Sequence, residues 1–175
     1  MGGRLALYFA LTNPDRIRTL ILESASPGLK TEAERETRRS SDDQLALDIE
    51  DKGLAWFVDY WTNIPLFSTQ NDRLRDRLKT LRMDNAPQGL IGSLRGMGTG
   101  MQPSLWERLP ELTIPTLLIT GEHDRKYVAI AEQMVALMPN ASSVILPGAG
   151  HTVHAEQPDT YTQTVINFLL GNSGV

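Results

Sequence analysis

Two short apolar runs, each ending in a glycine turn, constrain this chain more than any other feature. Val144-Ile145-Leu146 leads into Gly148-Ala149-Gly150-His151, and Thr116-Leu117-Leu118-Ile119-Thr120 leads into Gly121-Glu122-His123-Asp124. Runs of this length and composition form buried strands. In parallel α/β sheets the chemistry gathers at the carboxyl ends of the strands. A carboxylate therefore leaves one strand end and, later in the chain, a histidine leaves another. That order fits the last two members of a Ser-Asp-His triad, in which the acid fixes the imidazole tautomer and the histidine takes the serine proton. Asp124 is the expected acid and His151 the expected base. Glu122, earlier in the same turn, is the alternative acid. His154 is the alternative base and otherwise lines the pocket or supports the loop; His123 reads as a loop residue.

Composition excludes several function classes. The 175 residues hold no cysteine, so disulfides, thiolate metal sites and a cysteine nucleophile are ruled out. This suits a cytoplasmic protein. A net charge of -4 without any basic block argues against a nucleic-acid partner. No apolar run approaches the roughly 18 residues of a membrane span, and no signal peptide is visible at the start.

Along the chain, Leu5 to Leu11 reads as a helix apolar nearly all round, and so buried, ending near Asn13-Pro14. Ile17 to Leu22 reads as a strand running into Glu23-Ser24. From about Leu29 the charges become dense and helical spacing takes over: Leu45, Leu47 and Ile49, then Trp56, Phe57, Tyr60 and Trp61 up to Pro65. A further helix spans roughly Asp72 to Met83, and Gly89 to Gly100 is a glycine-rich stretch. Pro103-Ser104-Leu105-Trp106 begins another short helix. The α/β pattern returns at Ile114, with helices over Tyr127 to Met138 and Pro158 to Leu170. The expected fold is α/β, with three parallel strands, flanking helices and a helical insert. Its expected divisions are 1–28, an opening helix and strand; 29–110, a helical lid over the strand edge; and 111–175, a carboxyl-terminal core carrying acid and histidine.

Met1-Gly2-Gly3-Arg4-Leu5-Ala6-Leu7 resembles the segment that follows the nucleophile in the G-x-S-x-G elbow of the α/β-hydrolase superfamily. Within that superfamily the chain resembles the 2-succinyl-6-hydroxy-2,4-cyclohexadiene-1-carboxylate synthases of menaquinone biosynthesis. The stretches that carry this are Leu22-Glu23-Ser24-Ala25-Ser26-Pro27-Gly28-Leu29, Phe57-Val58-Asp59-Tyr60-Trp61, Ile64-Pro65-Leu66-Phe67 and Ser93-Leu94-Arg95-Gly96-Met97-Gly98-Thr99-Gly100. The resemblance implies a lyase that eliminates pyruvate, with a serine–histidine pair as base and no metal or organic cofactor. An ester or carbon–carbon bond hydrolase on the same fold, and an inactive fragment, are the alternatives.

The resemblance implies roles for particular residues. The serine would stand immediately before Met1, and the first strands of the sheet would precede it. The chain is then expected to be a carboxyl-terminal fragment, inactive alone, that needs an amino-terminal segment to fold. The backbone N–H of Met1 would be half of the oxyanion hole. Arg38 and Arg82 would read the carboxylates of a polycarboxylate substrate, because the planar guanidinium pairs two carboxylate oxygens at once. Trp61 would line the pocket, and Arg95 is a further candidate.

Overall fold

The computed structural model describes residues 1–172. In chain order the helices and strands are α1 (Gly2–Thr12), β1 (Leu20–Glu23), α2 (Glu32–Thr62), α3 (Asp72–Met83), α4 (Pro87–Met97), β2 (Thr116–Gly121), α5 (Arg125–Leu137), β3 (Ala141–Leu146), α6 (Val153–Glu156) and α7 (Pro158–Gly171). Short 3-10 turns cover Pro14–Arg16, Pro65–Phe67 and Trp106–Glu111. The chain forms two compact units: Met1–Pro27 together with the residues from Leu105 on, and Gly28–Ser104.

The first unit is an α/β layer structure. Its three strands are parallel in the order β1-β2-β3, with Leu22 opposite Leu118 and Leu118 opposite Ser143. β2 is central and buried along its whole length, as the apolar run Leu117-Leu118-Ile119 at its heart requires of a strand covered on both faces. Alternate side chains point to opposite faces. Leu118 and Leu22 pack with Leu7, Ala10 and Leu11 of α1, Met134 of α5, and Leu105, Trp106, Leu109 and Leu112. Leu117, Ile119 and Leu146 pack with Val153 of α6 and with Val165 and Phe168 of α7.

Three expectations need correction here. α1 is not buried all round: Leu7, Ala10 and Leu11 are buried, whereas Leu5, Tyr8 and Phe9 are exposed. Residues 7, 10 and 11 form one helical stripe, and only that stripe meets the sheet. β1 starts three residues later than its apolar run, because the ladder begins where Leu20 N–H donates to the Pro115 carbonyl. β3 starts earlier than Val144, because Ala141-Ser142-Ser143 pair with β2 through backbone alone, which a hydrophobic pattern does not register.

The second unit is helical. A reciprocal cap starts α2: Glu34 N–H donates to Thr31 Oγ1, and the Thr31 N–H donates to the Glu34 carboxylate. Gly53, at φ 80 and ψ 177, kinks α2. Ala46, Ile49, Phe57 and Val58 of α2 form a core with Ile91 of α4. The glycine-rich stretch is thus largely a helix, α4, entered through Pro87. Its apolar stripe, Leu90, Ile91 and Leu94, supplies the packing that offsets the poor helix propensity of glycine. No helix among the described residues is long and apolar enough to cross a membrane.

Candidate active site

The ends of β2 and β3 are stitched together by their backbones. A Cβ on Gly121 would lie 2.2 Å from the Gly150 carbonyl oxygen and 2.4 Å from that of Ala149, so only glycine fits. Glu122 N–H donates to the Leu146 carbonyl (3.0 Å) and His123 N–H to the Ala149 carbonyl (2.9 Å). Glu122 itself accepts the Gly148 N–H at 2.9 Å. Glu122, the alternative acid, therefore braces the turn, and His123 lies in the same loop.

Asp124 stands at the start of α5, 7% exposed, and its side chain makes no helix-capping bond. Its Oδ2 lies 2.6 Å from His151 Nδ1. An ionised carboxylate only accepts, so Nδ1 is the donor, and the neutral ring accepts protons at Nε2. The His151 ring packs against Tyr127 at 4.7 Å between centroids. The expected acid and base are thus brought together at adjacent strand ends. His154 is held elsewhere: its Nδ1 lies 2.8 Å from Glu23 Oε2, at the end of β1. Burial, aided by the Glu23 carboxylate, raises the pKa of the neighbouring Tyr161 phenol.

Two features escaped the sequence reading. Glu156 on α6 grips the histidine turn from both sides. One carboxylate oxygen accepts the Gly150 N–H (2.8 Å); the other accepts the N–H (3.0 Å) and hydroxyl (2.8 Å) of Thr152. The only available signal was a glutamate placed five residues after His151. The second is Ser24, at φ 41 beyond the end of β1, a left-handed backbone unusual for a side-chain-bearing residue. Its hydroxyl is buried and makes no hydrogen bond, to His151 or to any other described residue, so it does not complete a triad.

Met1 precedes α1, and its carbonyl accepts the N–H groups of Arg4 and Leu5. Burial, then the Arg4 guanidinium, lowers the pKa of its amine. Gly3 is pressed against the chain after β1: a Cβ there would lie 2.7 Å from Ala25 Cβ.

The expected carboxylate-reading residues lie in the helical unit. Arg82 is half-buried. It donates to the buried Thr62 hydroxyl at 3.0 Å, and its guanidinium lies 4.9 Å from the centre of the Phe67 ring. Burial lowers its pKa. No carboxylate pairs with it among the described residues. Phe67 also meets Trp61 (6.3 Å), which stacks on Phe57 (5.6 Å), so Trp61 and Arg82 share one aromatic neighbour. Arg38 donates its Nε to Asp42 Oδ1 at 2.8 Å. Arg95, the further candidate, is committed to Glu50 at 2.9 Å and lies 3.7 Å from Asp43.

Comparison with known proteins agrees with this architecture. A protein of Bacillus subtilis (strain 168), provisionally named 2-succinyl-6-hydroxy-2,4-cyclohexadiene-1-carboxylate synthase, is 49% identical over 172 residues, 97% of this chain and 63% of that protein. The synthase of that name from Enterobacter sp. (strain 638) is 33% identical over 158 residues, 90% of this chain and 59% of the relative. The structure of MenH from S. aureus superposes with a TM-score of 0.95 at 37% identity, covering 98% of this chain and 66% of that one. The chain thus spans roughly six-tenths of the length of these two named relatives. The α/β-hydrolase fold family matches residues 1–158, around a parallel sheet whose strand ends hold the paired Asp124 and His151, and the chain belongs to that family.

Proposed function

We propose that this chain carries the acid, the base and the substrate-reading arginines of a 2-succinyl-6-hydroxy-2,4-cyclohexadiene-1-carboxylate synthase, which eliminates pyruvate from a 5-enolpyruvoyl precursor. The observation that carries this reading is Arg82, a half-buried guanidinium with no carboxylate partner among the described residues. A polycarboxylate substrate supplies the missing anion; a simple ester would not. The identity to relatives bearing this name supports the same reading.

In this reading Asp124 holds the Nδ1 proton of His151, and Nε2 draws the proton from a serine hydroxyl. The activated oxygen removes a proton from a ring carbon. The electron pair forms a ring double bond, and the C–O bond to the enolpyruvyl group breaks. Pyruvate leaves as its enolate and is reprotonated. Arg38 and Arg82 hold the substrate carboxylates, with Trp61 beside Arg82. The serine comes from an amino-terminal segment that also completes the sheet, and the Met1 N–H, as a peptide group in that context, faces the developing negative charge.

The test joins this chain to the amino-terminal third of the B. subtilis relative and follows pyruvate release. The joined protein is expected to release pyruvate, and the 175-residue chain alone is not. His151→Ala should lower the rate by several orders of magnitude, since triad members act as a unit, with little change in substrate binding. Hydrolysis of aryl esters by the joined protein without pyruvate release would overturn the reading.

A further inference from the structure

We propose that Asp42 is the positioning residue of Arg38. The proposal rests on the carboxylate-reading role given to Arg38 above. Asp42 is 4% exposed. One oxygen accepts from Arg38 Nε at 2.8 Å. The other is buried and accepts no hydrogen bond. A buried carboxylate with an unused oxygen is costly, so stability does not explain its presence. Helix pairing does not explain it either, because an arginine four residues before its carboxylate is the less favourable order.

What the unused oxygen touches is the glycine-rich segment. A Cβ on Gly98 would stand 2.4 Å from Asp42 Oδ2 and 3.3 Å from its Cγ, and 2.4 Å from the Leu94 carbonyl oxygen of α4. Two residues on, a Cβ at Gly100 would stand 2.6 Å from the Arg35 carbonyl oxygen and 2.7 Å from the Arg39 nitrogen. Arg39 Nη1 donates to the Gly100 carbonyl at 3.0 Å. Gly98-Thr99-Gly100 is therefore pressed backbone to backbone on the part of α2 that carries Arg38 and Asp42. The segment holds Asp42, and Asp42 holds Arg38.

The manner of holding matters. Arg38 is bonded through Nε alone, and its two terminal nitrogens make no hydrogen bond among the described residues. Those terminal groups are the fork that grips a carboxylate end-on. A long side chain fixed side-on in advance loses less conformational freedom when the anion arrives.

The sign of one substitution tests this. Asp42→Asn keeps the shape and removes a negative charge beside an anion site, so electrostatics alone would tighten anion binding. Positioning demands the reverse. The experiment is calorimetric titration of the joined protein described above with succinate. Arg38→Ala is expected to weaken binding about tenfold or more, the scale of one lost charged hydrogen bond. Asp42→Asn should weaken it by a similar factor. The double variant Arg38→Ala with Asp42→Asn should be no weaker than Arg38→Ala alone. If Asp42→Asn binds succinate as tightly as the parent while Arg38→Ala is weakened, the proposal falls and the role of Arg38 stands. If Arg38→Ala binds like the parent, or the parent shows no saturable binding, the reading of Arg38 falls and takes the proposal with it. Should circular dichroism show Asp42→Asn unfolded, Arg38→Lys decides: its single cationic nitrogen would be taken up by Asp42, so binding must fall, and unchanged binding overturns the proposal.

Discussion

At the scale of single residues, the site depends on groups that hold other groups. Glu156 illustrates this. It accepts the N–H on each side of His151, so it sets the backbone from which the imidazole reaches Asp124. Glutamine keeps the shape but has one acceptor oxygen and two donor hydrogens. Glu156→Gln therefore strands one of the two N–H groups, at a cost of about 1–3 kcal/mol. In the joined protein, kcat should fall while KM for the precursor stays within about twofold; a change confined to KM would show that Glu156 does not act through His151. Arg82→Ala should do the opposite, raising KM with a smaller change in kcat, because it removes a charge that holds the substrate. Asp124 and His151 were legible in the sequence because a strand, a glycine turn and a chemically distinctive side chain coincide at each. Glu156 and Asp42 were not, since a glutamate or aspartate on a helix ordinarily marks a solvated face, and only the folded chain shows what they grip.

At the scale of elements, the sequence was readable wherever side-chain pattern decides the structure and unreadable where backbone decides it. The central strand β2 and the helices α5 and α7 follow their apolar periodicity. The first half of β3 is Ala-Ser-Ser, held by the ladder to β2. Helix α4 contains Gly89, Gly92 and Gly96, which argue against a helix until its apolar stripe meets α2. These glycines permit opposed predictions within one unit. A Cβ on Gly92 would meet nothing within 4 Å, so Gly92→Ala should stabilise the chain by about 0.4–1 kcal/mol, through helix propensity and a less flexible unfolded state. Gly53 has equal space around it, yet its φ of 80 and ψ of 177 are reserved to glycine. Gly53→Ala should destabilise by about 1–3 kcal/mol. Thermal melts of the two variants should shift in opposite directions. Equal shifts would mean that the kink in α2 is not set by Gly53.

At the scale of the whole molecule, the α/β unit carries unused surface along α1 and β1. Helix α1 has two apolar stripes. Leu7, Ala10 and Leu11 are buried against the sheet, whereas Leu5, Tyr8 and Phe9 are 55%, 43% and 43% exposed. Residues 5, 8 and 9 share the same three-and-four spacing and so form one face. Beside it, β1 is bonded to β2 on one side, and its other edge carries no strand among the described residues. An apolar helix face next to an open strand edge is a template for association. Each large side chain brought out of water there contributes up to about 1.5–3 kcal/mol, against a domain stability of about 5–15 kcal/mol. The 175-residue chain is therefore expected to self-associate, its apparent mass in size-exclusion chromatography with light scattering rising with concentration. Leu5→Lys with Phe9→Lys should reduce that association without lowering the helix content. Addition of the amino-terminal third of the B. subtilis relative as a separate chain should replace the oligomers by a one-to-one complex, as a strand added at the β1 edge and side chains laid on the second stripe of α1 would remove both from water. A monodisperse monomer across the concentration range, with a cooperative melt and no uptake of the added segment, would show that this face is stable in water and that the chain needs no partner to fold.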